Sequence, residues 1–325
     1  MRRFAVLSLL VSSVLLAVQA EPFPVTRDSE TARYRFEYRV IIPPTDKPRE
    51  RLSIWVPYPV EDEYQKILKS EVISPFKWEL RDEKKYGNRL VYIEGMTNKE
   101  PAEILFRYEV ERRFAKGYSK ELAREKAPFD PSLYRGADRL VPLDKQIRQI
   151  AKEATKGLKE PAEKIRALYQ YVVDTMIYNK EGTGWGNGDA VWACNNKRGN
   201  CTDFHYLFIA LARTQGIPAR FVIGVPIPQD SKDGTIPGYH CWAEAFEPNR
   251  GWIPIDASEG KKSGRPEDYF GRIPFNRIQF TVGRDLILDP PQKGEPLNYF
   301  IYPYAELNGR EFKDLKREFR FEKLS

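Results

Sequence analysis

The sequence predicts an α+β protein in two parts, a segment made of strands alone followed by a core in which a helix packs on an antiparallel sheet. Three observations predict it. Short runs of alternating apolar and polar residues fill positions 33 to 114. Two stretches at helical spacing follow, between Asp144 and Tyr178. A further helix then begins at Cys201 and leads into three strand-like runs.

The first residues, Met1-Arg2-Arg3, precede an apolar run from Phe4 to Val18 that closes on Val18-Gln19-Ala20. This is the form of a secretory leader, residues 1–20, with cleavage expected after Ala20 and a periplasmic or secreted location. No later segment approaches about 18 uninterrupted apolar residues, so no membrane span is expected after cleavage. Without the leader, 305 of the 325 residues remain, enough for two domains and a substantial core. The formal charge of +7 falls to +5 without Arg2 and Arg3. Lys and Arg are interleaved with Asp and Glu, which reads as a solvated mixed surface and argues against a nucleic-acid partner. Three cysteines are too few, and odd in number, for a disulfide framework in an oxidising compartment, so at least one thiol is expected to be free.

Strands are expected at Tyr34 to Val40, Leu52 to Val56, Arg89 to Ile93 and Ile104 to Val110, separated by breaks such as Pro43-Pro44 and Tyr86-Gly87-Asn88. Residues 21–118 thus read as an all-β, sandwich-like domain with no chemistry-bearing group. Residues 119–140 read as a linker, because charges, Pro128, Pro131 and Gly136 break the pattern. A second domain is expected over 141–260, and 261–325 as an extension wrapping it, with strand-like pieces at Arg277 to Val282 and Leu297 to Tyr302. In the core, helices are expected from Asp144 to Lys156, from Pro161 to Tyr178 and from Cys201 to Gln215. In the second of these, Ile165, Leu168, Tyr169, Val172, Val173 and Met176 recur at helical spacing and form a core face. A glycine-rich stretch, Glu181 to Asp189, precedes the third, and strands follow at Ala219 to Gly224, Tyr239 to Phe246 and Gly251 to Asp256.

A cysteine at a helix start meets unpaired backbone N–H groups and the positive end of the helix dipole, and both favour thiolate over thiol. Cys201 occupies such a place, and its own N–H is positioned to help hold an oxyanion. The chain has two histidines to serve as base. His205 is one helical turn beyond Cys201, so contact is geometrically allowed, but nothing in its neighbourhood would orient it. His240 lies on a strand. With Glu247 to Gly251 as the connecting loop, Phe246 pairs with Trp252 and Asp256 becomes a same-face neighbour of His240. A carboxylate there would fix the imidazole tautomer and stabilise its charged form. Trp242, Glu244 and Trp252 read as a structural sheet face, and Asp203 as a first-turn carboxylate stabilising the helix start.

Four blocks in order carry a resemblance: Gly199-Asn200-Cys201-Thr202-Asp203-Phe204, Leu211 to Arg220, His240-Cys241-Trp242-Ala243-Glu244 and Gly251-Trp252-Ile253-Pro254-Ile255-Asp256. Together they resemble the bacterial transglutaminase-like superfamily. The resemblance implies a papain-like Cys-His-Asp centre with Cys201 as nucleophile, His240 as base and Asp256 as its orienter. In animal transglutaminases a tryptophan upstream of the cysteine donates its indole N–H to the oxyanion. Trp185 is the candidate for that post, with Trp192 its competitor and a cleft-wall role the alternative. Cys194 and Cys241 have no catalytic place in the family and read as buried thiols, with a disulfide between them the other reading.

The resemblance implies attack on an amide carbonyl of a protein or peptide substrate, with no cofactor. Water outside the cytoplasm, and the lack of a clustered acidic calcium pattern, favour hydrolysis of the thioester. The alternatives are a crosslinking acyl transferase, a silent envelope scaffold that binds through its β domain, and a structural zinc site drawn from Cys194, Cys201, His205, His240 and Cys241. The last lacks the paired C-x-x-C spacing of such sites.

Overall fold

The computed structural model describes residues 31–45, 47, 49–116 and 130–324. The leader at 1–20 and the linker before residue 130 therefore lie outside the described residues. Thr31–Ser325 clusters as one compact unit. Its strands before the helices are β1 (Thr31–Ile42), β2 (Arg51–Pro57), β3 (Gln65–Ile73), β4 (Lys77–Asp82), β5 (Arg89–Met96), β6 (Ala102–Arg113) and β7 (Ala115–Lys116). Then come α1 (Lys145–Ala154), α2 (Pro161–Thr175), β8 (Ile177–Tyr178), α3 (Ala190–Asn196), β9 (Arg198–Gly199) and α4 (Cys201–Thr214). The rest is β10 (Ala219–Pro226), β11 (Asp233–Ile236), β12 (His240–Glu247), β13 (Gly251–Ile255), α5 (Ala257–Ser263), β14 (Arg272–Ile273), β15 (Arg277–Val282), β16 (Tyr304–Leu307), β17 (Arg310–Glu311) and β18 (Lys316–Lys323).

The β-rich part is two five-stranded sheets, ordered β11-β18-β1-β6-β3 and β17-β16-β2-β5-β4. Strand β1 shows why they hold: Tyr34, Phe36, Tyr38 and Val40 are buried while the residues between them are more exposed, the alternation of a sheet with one face on a core. Both sheets draw strands from the C-terminal segment, since β18 pairs with β1 from Lys323 opposite Tyr34 to Lys316 opposite Ile41, and β16 pairs with β2. Leu297 to Tyr302 forms no strand. It is irregular backbone whose carbonyls accept side-chain hydrogen bonds, Phe300 O from Thr281 Oγ1 at 2.5 Å and Ile301 O from Tyr38 Oη at 3.0 Å.

The second layer is the antiparallel sheet β13-β12-β10-β15, with α4 against it. Every residue of α4 is buried, so it is a central helix rather than an amphipathic surface one. Asn200 caps it, accepting from Thr202 N–H at 2.9 Å, while Asp203 reaches back to the Asn200 N–H at 2.9 Å, a capping box. Around α4 lie α1, α2, α3 and α5.

Strand β15 ties the layers together. Phe280 meets Phe36 and Tyr38 with ring centroids 5.7 and 6.2 Å apart. Buried Gln65 accepts from Gln279 N–H at 2.8 Å and donates to Gln279 O at 2.8 Å. Asn88 does the same for the backbone of Val282, at 2.7 and 2.8 Å. A fragment beginning at residue 140 leaves Phe280 without its aromatic partners and the Gln279 and Val282 amides without acceptors. Such a fragment is expected to lose the cooperative thermal transition of the full chain, and a sharp calorimetric melt from it would overturn this expectation.

Candidate active site

Cys201 is the first residue of α4. As such, its N–H has no acceptor within the helix. The backbone around it permits the approach only of glycine: Gly199 has φ of 148°, and a Cβ there would fall 2.2 Å from Asp203 Oδ2. His240 opens β12 opposite Gly224 of β10, where a Cβ would lie 2.0 Å from the Ile278 carbonyl oxygen. Asp256 follows the end of β13 and caps α5, its Oδ1 accepting from Glu259 N–H and Ser258 Oγ, each at 3.0 Å.

The three side chains converge. His240 Nε2 donates to Asp256 Oδ2 at 2.6 Å, and the ring also bonds the Cys201 thiol. With Nε2 engaged, Nδ1 is the nitrogen left to meet the sulfur. Cys201 and His240 are 4% and 5% exposed and Asp256 is fully buried, so the pair works in a low dielectric with one open side. Observed pairing of Phe246 with Trp252 and Ala243 with Ile255 is the register read from the sequence. Asp256 nevertheless reaches His240 from a helix cap rather than from a paired strand position, because β13 ends at Ile255.

Electrostatics favour a charged pair. A hydrogen bond from the Cys241 thiol holds Cys201 well below the usual thiol range, with burial opposing and His240 reinforcing. Burial disfavours imidazolium at His240, but the Asp256 charge and its hydrogen bond, with that to Cys201, outweigh it and hold the ring at about 9. Burial likewise opposes charge on Asp256, yet the His240 charge and hydrogen bond hold its carboxyl well below the ordinary range. The arrangement can therefore hold thiolate and imidazolium side by side.

His205 is buried on α4 and takes another direction. Its Nε2 accepts from Ala257 N–H at 3.1 Å and lies 3.5 Å from Asp256 Oδ1, while Nδ1 is 3.6 Å from Cys241 Sγ. All three cysteines are free: Cys194 stands near Lys197 Nζ at 3.9 Å, and Cys241 lies against Cys201 rather than Cys194. The Trp185 indole N–H donates to Gly182 O at 3.0 Å, within its own loop, and Trp192 packs on Gly184. Among the described residues, His240, Asp256 and Glu259 are the group whose ligand atoms converge, within 4.8 Å, and none of the cysteines belongs to it. Glu259 is already paired with Lys262 Nζ at 2.6 Å.

Two residues with site roles lack an obvious sequence signal for them. Asp203 is buried and accepts from Gly186 N–H at 2.7 Å and Gly188 N–H at 3.2 Å, fastening the glycine-rich loop to the start of α4. Arg284 is also buried and donates to the carbonyls of Gly188 at 2.5 Å and Asn187 at 2.9 Å. The spacing Asn200 to Asp203 foretells the cap but not the loop, and Arg284 is far along the chain.

Comparison with known proteins bears on the fold and on this segment of the chain. The family description of the transglutaminase-like superfamily matches residues 148–257, a span that includes Cys201, His240 and Asp256. An uncharacterized Haemophilus influenzae protein is 23% identical over 343 residues, 92% of each chain. The uncharacterized Bacillus subtilis protein YebA is 25% identical over 158 residues, 43% of this chain and 21% of that one. Among solved structures, a candidate cysteine protease from Cytophaga hutchinsonii superposes with a TM-score of 0.63 at 17% identity, covering 91% of this chain and 92% of that one, a likeness of fold. Residues 148–257 match the transglutaminase-like superfamily, and over this segment the chain is similar to its core.

Proposed function

We propose that the protein is an exported cysteine hydrolase that cleaves an amide or peptide bond of a protein or peptide through a thioester. The observation that carries this reading is the 2.6 Å bond from His240 to Asp256, with the Cys201 thiol on the other side of the same ring. Cys201 thiolate adds to the carbonyl carbon, and the oxyanion formed meets the Cys201 N–H at the dipole end of α4. His240 imidazolium gives its proton to the leaving amine as the C–N bond breaks. The neutral ring then takes a proton from water, whose oxygen attacks the thioester, and returns it to the departing Cys201 sulfur. Export rests on the leader read at residues 1–20, and no described helix is long and apolar enough to cross a membrane.

The test is labelling by an electrophilic peptide amide, with mass spectrometry locating the adduct and the chain's N-terminus. Expected are an adduct on Cys201 and a start at Glu21. An unreactive Cys201 in folded protein sinks the reading, and an acyl-enzyme that passes to added amine in preference to water sinks its hydrolytic half. Turnover has a predicted pH signature. The proton for the leaving amine is lost as pH rises through about 9, the value at which His240 gives up its charge, so kcat/KM should fall there. On the acid side, activity should persist below the ordinary thiol range because Cys201 is held down. Loss of activity near pH 6.5 on the alkaline limb contradicts the charged pair.

A further inference from the structure

One arginine beside His240 has a hydrogen-bonding edge without a partner. Arg277 opens β15 and is 6% exposed. His240 pairs with Gly224 of β10, and Gly224 with Gln279, two residues along β15 from Arg277, so strand pairing itself brings the arginine near the histidine. Its guanidinium is fixed from one side: Nη1 donates to Asn276 Oδ1 at 3.1 Å and to Asn276 O at 3.3 Å, while Asn276 Nδ2 donates to Ile227 O at 2.9 Å. Nε–H and one Nη2–H form the opposite, side-on edge of the fork. Nε is buried with no hydrogen-bond partner among the described residues. Nη2 stands 4.0 Å from Glu259 Oε1, beyond hydrogen-bond reach, the same oxygen being held at 2.6 Å by Lys262 Nζ. A buried cation with two parallel N–H groups unserved is the complement of a carboxylate, which accepts both at once.

That edge lies on the side of His240 from which the proton leaves. Glu259 Oε1, 4.0 Å from Arg277 Nη2, is 3.9 Å from His240 Nδ1, the nitrogen that in the proposed reaction protonates the leaving amine. Proton transfer puts the leaving nitrogen about 3 Å from Nδ1, and a guanidinium–carboxylate bond takes about 2.8 Å. A short link between that nitrogen and a carboxylate spans what is left. An amino acid's own α-carboxylate, two covalent bonds from its nitrogen, has this reach, whereas the carboxylate at the end of a Glu side chain overshoots it. We propose that Arg277 is a specificity-determining residue that takes the α-carboxylate of the leaving amino acid through its Nε–Nη2 edge, so that the bond cut is the last amide of a peptide. The acyl part then stays on Cys201, and the amine released with the His240 proton is a free amino acid. Glu259, anchored to Lys262, gives the empty edge a loose counter-charge without a bond to it, so an incoming carboxylate displaces no hydrogen bond there.

This inference rests on the hydrolase reading, and two measurements separate them. In the first, one set of peptides, prepared with free and with amidated C-termini, is digested by the full chain and by its Arg277→Gln variant, and mass spectrometry identifies the bond cut. The parent should release the terminal residue from the free acids about tenfold or more faster than from the amides, and Arg277→Gln should bring that ratio to within about threefold of one. The second needs no turnover: N-acetylglycine, but not N-acetylglycinamide, should slow iodoacetamide alkylation of the parent's Cys201, and Arg277→Gln should lose that protection. Melts show whether the variant is folded. Should it unfold, Arg277→Lys, which keeps the charge but not the fork, replaces it and should lose most of the preference, and the parent's own comparison of acid with amide needs no variant. A parent that cuts both sets alike at internal bonds, or that is protected equally by the acid and the amide, overturns the inference, as does a folded Arg277→Gln that keeps the preference. A parent that cuts neither set yet is protected by the acid alone overturns the hydrolase reading and leaves the carboxylate site standing.

Discussion

Replacing Cys201 by Ala is expected to abolish covalent labelling and turnover, and His240→Ala to lower kcat by roughly a thousandfold or more, because the two act as a unit. The reason for the second lies in the ring's two bonds. Without His240 the sulfur loses both its counter-charge and the proton destined for the leaving amine. Asp256→Asn is more informative. Oδ1 accepts from Glu259 N–H and Ser258 Oγ, and Oδ2 accepts from His240 Nε2. An amide keeps one acceptor, and retaining it at the helix cap turns NH2 toward His240. The ring must then carry its proton on Nδ1 and cannot take one from Cys201. A loss of about a hundredfold to ten-thousandfold in kcat follows, with the cap of α5 kept. Melts exclude unfolding, and a folded His240→Ala protein that labels and turns over like its parent sinks the assignment.

The parts of this site that could be read from the sequence are those set by local chemistry. The start of α4 is written in Asn200 and Asp203, and α2 in the spacing of Ile165, Leu168, Val172 and Val173. The pairing of β12 with β13 follows from counting the five residues between Phe246 and Trp252. What failed locally was α5: Ala257 to Ser263 is short, contains Gly260 and has no apolar period, so nothing marks Asp256 as a cap. Strand β4 escaped because all six of its residues are exposed, leaving no burial pattern to detect. Pairings such as β1 with β18 have no sequence signal, since they depend on which distant strand completes a sheet. Cys241 was legible as a buried thiol, but its partner could not be known until α4 and β12 were placed together.

Asp203→Asn should be the most destabilising single change at the site that leaves Cys201, His240 and Asp256 intact. The buried carboxylate accepts three backbone N–H groups, with Oδ2 serving Gly186 and Asn200 and Oδ1 serving Gly188. An asparagine of the same shape must present NH2 to one side, so either the cap of α4 or the loop amide at Gly188 meets a donor. Leaving such a buried N–H unpaired, and losing charge-assisted bonds, costs about 3 kcal/mol, a fall in Tm of roughly 5–10 °C. Loss of a nearby negative charge favours thiolate at Cys201, but the displaced loop and helix start should dominate, slowing labelling while raising proteolytic nicking between residues 182 and 189. Arg284 holds the other side of the same peptide, donating to Asn187 O, and also binds Gly188 O of the next one. Asp203→Asn and Arg284→Ala should therefore be non-additive, with a coupling of about 1 kcal/mol, since the loop released by one no longer gains from the other. A melt for Asp203→Asn that matches the parent, or strict additivity in the cycle, would show that the glycine-rich loop is held by something other than this clamp.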